Sequence, residues 1–197
     1  MNVKKVAATT AALSLTAAVA VGGTLAWLTA KTDTIENTFT IGNVGIKLQE
    51  KQGEEWKTAG EEGFDGQQYT VTPGIDITKE ARVTVDDGSE KSIVYLKVVK
   101  GSDFDKYFDA TVDTNNWTPL AGHANYYWKV AEENTELGIL ANNTVDPDED
   151  ALVNGVQLGN ATLSFQAAAI QYDGLTGGDE AAKAADGFNK LPTVSAQ

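Results

Sequence analysis

His123 is the only histidine of this 197-residue chain, and the chain has no cysteine. A catalytic zinc takes two or three nitrogen or sulfur ligands, which a lone imidazole in the polar loop beside Gly122 does not supply. No His-Glu-x-x-His motif accompanies it. A Ser-His-Asp triad would need the same ring, and no Gly-x-Ser-x-Gly elbow is present to offer the serine. Without thiols there is no cysteine nucleophile, disulfide framework or lipid-modified cysteine. The other candidate for metal chemistry is Asp146, Asp148 and Asp150, which have the alternate spacing of a calcium loop. That pattern fails at the sixth position, where Ala151 replaces the glycine of the sharp turn. It fails again at the twelfth, where Gln157 replaces the bidentate glutamate. The expectation is no catalytic residue, no metal and no cofactor, with Asp146 to Asp150 as a solvated acidic loop.

Aromatic residues could do a different kind of chemistry. In a strand, Tyr126 and Trp128 share one face and Tyr127 takes the other. Core packing is the expected role, since aromatics dominate the cores of sandwiches. A carbohydrate platform would instead require Trp117 or Trp128 to be exposed beside acidic or amide groups. Charge narrows the partners further. Acidic residues number 28 against 15 basic ones, for a net charge of −13, and Arg82 is the single arginine. Such a surface repels nucleic acid and anionic lipid, so a nucleic-acid role is excluded.

The elements that must position these residues follow a period of two. Phe39 and Ile41, then Val44, Ile46 and Leu48, alternate with polar residues, and Gly42 shifts the phase as a bulge would. Gly53 to Gly66 reads as a solvated loop anchored by Trp56 and Phe64. Tyr69 to Thr72 leads into a Pro73-Gly74 turn. Ile75, Ile77, Ala81, Val83 and Val85 alternate up to Asp86-Asp87-Gly88-Ser89, a sequence of hairpin type. Ser92 to Val99 is nearly all apolar or β-branched, as in a central strand covered on both faces. A short helix is expected after it, with Ser102 as N-cap and Asp103 and Asp105 in its first turn. Ala110 to Asp113 and Tyr126 to Val130 read as strands, and Leu137, Ile139 and Leu140 form a short apolar segment. Ala161 to Tyr172 places Leu163, Phe165, Ala167 and Ala169 on one face. Asp179 and Glu180 open an alanine-rich helix, and residues 191–197 read as a flexible tail. Leu191-Pro192-Thr193-Val194 lacks the glycine, apolar span and basic end of a sortase signal. Many short strands with few helices predict a mainly β protein, an antiparallel β-sandwich with a few short peripheral helices.

The N-terminus predicts export. Lys4 and Lys5 precede an apolar, alanine-rich stretch from Val6 to Val21, which Gly22-Gly23 breaks before the small residue of Thr24-Leu25-Ala26. Residues 1–26 are therefore expected to be a cleaved signal peptide, cut between Ala26 and Trp27, with Ala30 as the alternative site. As a membrane anchor the stretch would be weak, being built from Ala, Thr and Ser. Contact with the membrane is expected only through the signal, before cleavage.

The block Gly22-Gly23-Thr24-Leu25-Ala26-Trp27-Leu28-Thr29, followed by Asn37-Thr38-Phe39-Thr40-Ile41-Gly42-Asn43-Val44-Gly45-Ile46-Lys47-Leu48, resembles the SipW-dependent exported proteins of Gram-positive bacteria, the TasA/camelysin family. Thr72 to Val83, Asn125 to Trp128 and Ala168 to Tyr172 resemble later blocks of that family. The resemblance implies a jelly-roll-like sandwich over residues 39–190. It also implies a secreted matrix or cell-surface subunit that polymerises head to tail. In that scheme residues 27–38 are a donor strand with Trp27, Leu28 and Ile35 as anchors, and Phe39 to Leu48 is the first strand of the domain. The implied partners are other copies of the chain, a dedicated type I signal peptidase and a minor anchoring subunit. The camelysin name brings a metalloprotease activity, from which the single histidine departs. The alternative, from a different class, is a monomeric cell-surface module that binds glycan or protein through its loops.

Overall fold

The computed structural model describes residues 43–64, 66–153 and 156–191. The signal segment 1–26, the donor segment 27–38 and the expected strand start at residues 39–42 lie outside the described residues. The first described strand, β1, spans Ile46–Gln52 and turns into β2, Glu55–Thr58. Then come β3 (Ile77–Thr78), β4 (Ala81–Val85) and β5 (Ser92–Lys100). A one-turn helix α1 (Phe104–Tyr107) leads into β6 (Phe108–Asp109), β7 (Thr118–Pro119), β8 (Tyr126–Ala131) and β9 (Glu136–Gly138). A short 3-10 turn precedes β10 (Thr144–Pro147), and β11 (Leu163–Gln171) and helix α2 (Glu180–Lys190) close the chain. The strands form three antiparallel sheets in the orders β2-β1-β4-β9, β3-β10-β6 and β11-β5-β8-β7. The architecture is mainly β with two helices, consistent with a β-sandwich.

Alternation sets what each sheet buries. Ala81, Val83 and Val85 of β4 are almost fully enclosed while Arg82 and Thr84 between them are not. They join Val94, Leu96 and Val98 of β5 in one core with Trp117, Leu137 and Ile139. Each valine, leucine or isoleucine so removed from water stabilises the fold by about 1.5–3 kcal/mol. The opposite face of β5 carries Ile93 and Tyr95, which pack with Trp128, Leu120 and Ala184 in a second cluster. β5 is therefore covered on both faces, as its unbroken apolar composition predicts. Tyr126 and Trp128 share that second cluster while Tyr127 packs against the first, in accord with the strand period.

Helix α2 seals the second face. Asp179 is its N-cap and accepts from the Ala182 amide at 2.8 Å. Ala184 and Gly187, three residues apart, bring the helix close to β5. A Cβ at Gly187 would lie 2.5 Å from the Tyr95 hydroxyl, which donates to the Ala184 carbonyl at 2.7 Å.

Several expectations need correction. Gly53 to Gly66 is not all loop: β2 pairs with β1, and the Trp56 ring stacks on the Arg82 guanidinium at 3.9 Å. This strand is held by its ladder and a cation–π contact, which a polar composition conceals. Asp86 to Ser89 does turn the chain, with Ser89 N donating to Asp86 O, but it passes from one sheet to another rather than closing a hairpin. The N-cap position of α1 is Asp103, not Ser102. Ala110 to Asp113 is no strand; Val112 makes only an isolated bridge with Leu140. Asp146 sits in β10, so the acidic loop begins at Asp148. Leu191 donates to the Gly187 and Phe188 carbonyls of α2, and the rest of the expected tail, residues 192–197, lies outside the described residues.

Candidate functional site

The first core is not sealed like the second. Between β1 and β11 lies a groove of about 860 Å³, lined on one side by Leu48 and Ala81 and on the other by Leu163 and Phe165. Phe104, Phe108 and Val145, all buried members of the first core, form part of its lining. Leu163, Phe165, Ala167 and Ala169 pack onto that core but stay half-buried.

β11 is also an edge. Among the described residues its only strand partner is β5, which pairs with it from Leu163↔Lys100 to Gln171↔Ser92. An open edge presents unpaired N–H and C=O groups and is a template for another strand. Other outer strands carry features that discourage such pairing. β2 holds Glu55 and Lys57, β7 holds Pro119, and β3 and β6 are two residues long. β11 reads Leu-Ser-Phe-Gln-Ala-Ala-Ala-Ile-Gln, with neither charge nor proline, in a chain that is 22% charged. It is the longest and least protected edge of the described sheets.

One wall of the groove is polar. Glu50 projects from β1 and its Oε1 meets three donors: the Lys79 ammonium, the Tyr69 hydroxyl at 2.8 Å and the Gln67 amide at 2.9 Å. Lys79 is 6% exposed, and its ammonium also lies 5.3 Å from the Tyr69 ring centroid and 5.7 Å from that of Phe165. A buried cation and carboxylate each need the other, because a lone charge in this position would be strongly disfavoured. Burial, then the hydrogen bond and negative charge of Glu50, push the Tyr69 phenol above its ordinary range. The sequence reading passed over these residues, yet a signal was there. Glu50 is in phase with Ile46 and Leu48, and Lys79 with Ile77, Ala81 and Val83. Both charges stand at core-facing positions of apolar alternations.

The sequence candidates fall elsewhere. Ala26, Trp27, Leu28 and Ile35 lie outside the described residues. His123 is exposed in the turn between β7 and β8, its ring 4.5 Å from that of Phe188. Asp148 Oδ1 accepts from the Asp150 and Ala151 amides, so it closes a turn. Among the described residues no group of three or more His, Cys, Asp or Glu is placed to hold a metal ion. Trp117 is 1% exposed, with its indole N–H on the Gly138 carbonyl at 2.8 Å, and Trp128 is 8% exposed. Neither offers a stacking platform. Among the described residues no helix is long and apolar enough to cross a membrane.

No family model matches the chain, and no curated protein or solved structure matches it either.

Proposed function

We propose that this chain is an exported structural subunit of an extracellular matrix or cell surface. It assembles head to tail by adding an N-terminal strand of one copy to the sheet of the next. The observation that carries this reading is the uncharged nine-residue edge of β11 beside an open groove in the main core. Strand addition combines main-chain hydrogen bonds along an edge with pockets for alternate side chains. The segment 27–38 supplies Trp27, Leu28 and Ile35 as apolar anchors and several threonines as strand formers. Its twelve residues reach about 40 Å when extended, enough to run the roughly 30 Å of β11. A donation of this kind is heterologous and does not close on itself, so it builds filaments. The resemblance to the TasA/camelysin family supports the same reading. It supplies the finer expectations: a jelly-roll-like sandwich, cleavage after Ala26 by a dedicated type I signal peptidase, and a minor subunit that anchors the polymer.

The test is electron microscopy with light scattering on the 27–197 protein beside a 39–197 truncation. Fibres from the first and monomers from the second are the expected pair. Monomers from both, across pH and concentration, would remove the proposal and favour a monomeric binding module.

A further inference from the structure

Within residues 66–72, Gly66 to Tyr69 and Val71 line the groove that β11 opens onto. The segment alternates as a strand does: Gln67, Tyr69 and Val71 are half-buried, while Gly66, Gln68, Thr70 and Thr72 are exposed. Yet it belongs to no sheet, and among the described residues none of 66–71 makes a backbone–backbone hydrogen bond. Side chains hold the segment instead. Gln67 donates to Glu50 Oε1 and to the Lys51 carbonyl, and Tyr69 donates to the same Glu50 oxygen. The Lys79 ammonium lies between the Tyr69 and Phe165 rings, which ties the segment to β11 itself. At its ends stand Gly66 and Gly74, with φ of +95° and +72°, in conformations that glycine adopts without strain.

We propose that residues 66–72 are a place-holder strap. In the free chain it covers the groove in a strand's posture without a strand's ladder, latched to Glu50, and an incoming strand displaces it. This rests on the assembly reading above and names how that site is regulated. Displacement breaks three side-chain hydrogen bonds and no main-chain ladder, whereas the incoming strand gains a ladder along β11. The strap therefore occupies the groove beside the open edge and yields only to a segment that can pair.

The absence of cysteine makes a direct test clean. Ala81→Cys places a thiol on the groove floor, where the residue is 2% exposed, and Ala131→Cys places one in the same core away from the groove. Alkylation rates are measured on the full chain, diluted to stay monomeric, with and without Tyr69→Phe plus Gln67→Ala. The unlatched chain should label at residue 81 at least tenfold faster with residue 131 unchanged. Equal rates at residue 81, or equal acceleration at both sites, would overturn the strap. If Ala81→Cys does not fold, Ala161→Cys on the same groove gives the same reading. In the 27–197 protein the unlatched pair should shorten the lag before fibres form by a similar factor. An unchanged lag despite faster labelling would overturn the gating. Fibres from no variant at all would overturn the assembly reading and the gating with it, while labelling still decides whether the strap opens.

Discussion

β5 has two faces, and the molecule finishes them differently. On one, Ile93 and Tyr95 lie under α2, where Ala184 and Gly187 let a regular helix approach until the Ala184 carbonyl accepts a hydrogen bond from the tyrosine hydroxyl. On the other, Val94, Leu96 and Val98 enter a larger core whose rim at β1 and β11 is left as a groove. The first face is closed by backbone geometry. Across the second lies a segment that, among the described residues, is held through side chains, with Glu50 at its centre. Completeness belongs to stability, and an unfinished rim with an open edge is what association can use.

The largest expected effects come from attacking each closure where it is tightest. Gly187→Val forces a Cβ against the Tyr95 hydroxyl and Ile170, so overpacking combines with loss of the hydrogen bond to Ala184. The expected loss is about 2–4 kcal/mol. Phe165→Ala, on the half-buried rim, should cost only about 1–2 kcal/mol, because little of its ring leaves a sealed interior. Denaturant midpoints at constant slope measure both, and equal losses would erase the distinction between the faces. Lys79→Met falls between them, at about 2–3 kcal/mol, since it leaves Glu50 enclosed with two neutral donors. Adding Glu50→Gln to Lys79→Met should recover most of that loss. A double variant no more stable than the single one would mean that packing, and not the pair, was being read.

The contrast between the faces was half visible in the sequence. The run Ser92 to Val99 announces a strand covered on both sides, and Asp179 with the alanines after it announces the helix that covers one of them. Leu163, Phe165, Ala167 and Ala169 announce which face of β11 turns inward. Alternation says nothing about whether the edge beside those residues is occupied, because pairing partners are long-range. The strap was hidden for a related reason. Tyr69 to Val71 alternates like a strand, but the composition gives no sign that its ladder is missing. β2 was hidden because its four residues are stabilised by the ladder and by Trp56 on Arg82, not by burial of an apolar stripe. Glu50 and Lys79 were legible in principle as charges in phase with core residues. They become a site only when the fold brings Tyr69 and Gln67 onto the same oxygen.

The smallest expected effect separates the faces by pH. Burial is the first cause that raises both phenols, with the negative charge of Asp186 adding to it at Tyr95 and Glu50 adding to it at Tyr69. A raised phenol favours the neutral form in the folded state. Its stabilisation is complete below the unfolded value of about 10 and is lost as pH rises above that toward the folded value. Tyr95 is 2% exposed beneath α2, so its ionisation opposes the whole fold. Tyr69 belongs to the strap, so its ionisation beside the Glu50 carboxylate opposes only closure of the groove. Tyr95→Phe should lower stability by about 1 kcal/mol at pH 7 through the lost hydrogen bond, and should flatten the decline in denaturant midpoint above pH 10. Ionised Tyr69 should open the strap, so above about pH 10 labelling at residue 81 should rise more than at residue 131; Tyr69→Phe should leave the global decline in place while removing that excess. If Tyr69→Phe instead flattened the global decline, strap and core would unfold as one unit, and the two faces of β5 would differ in appearance alone.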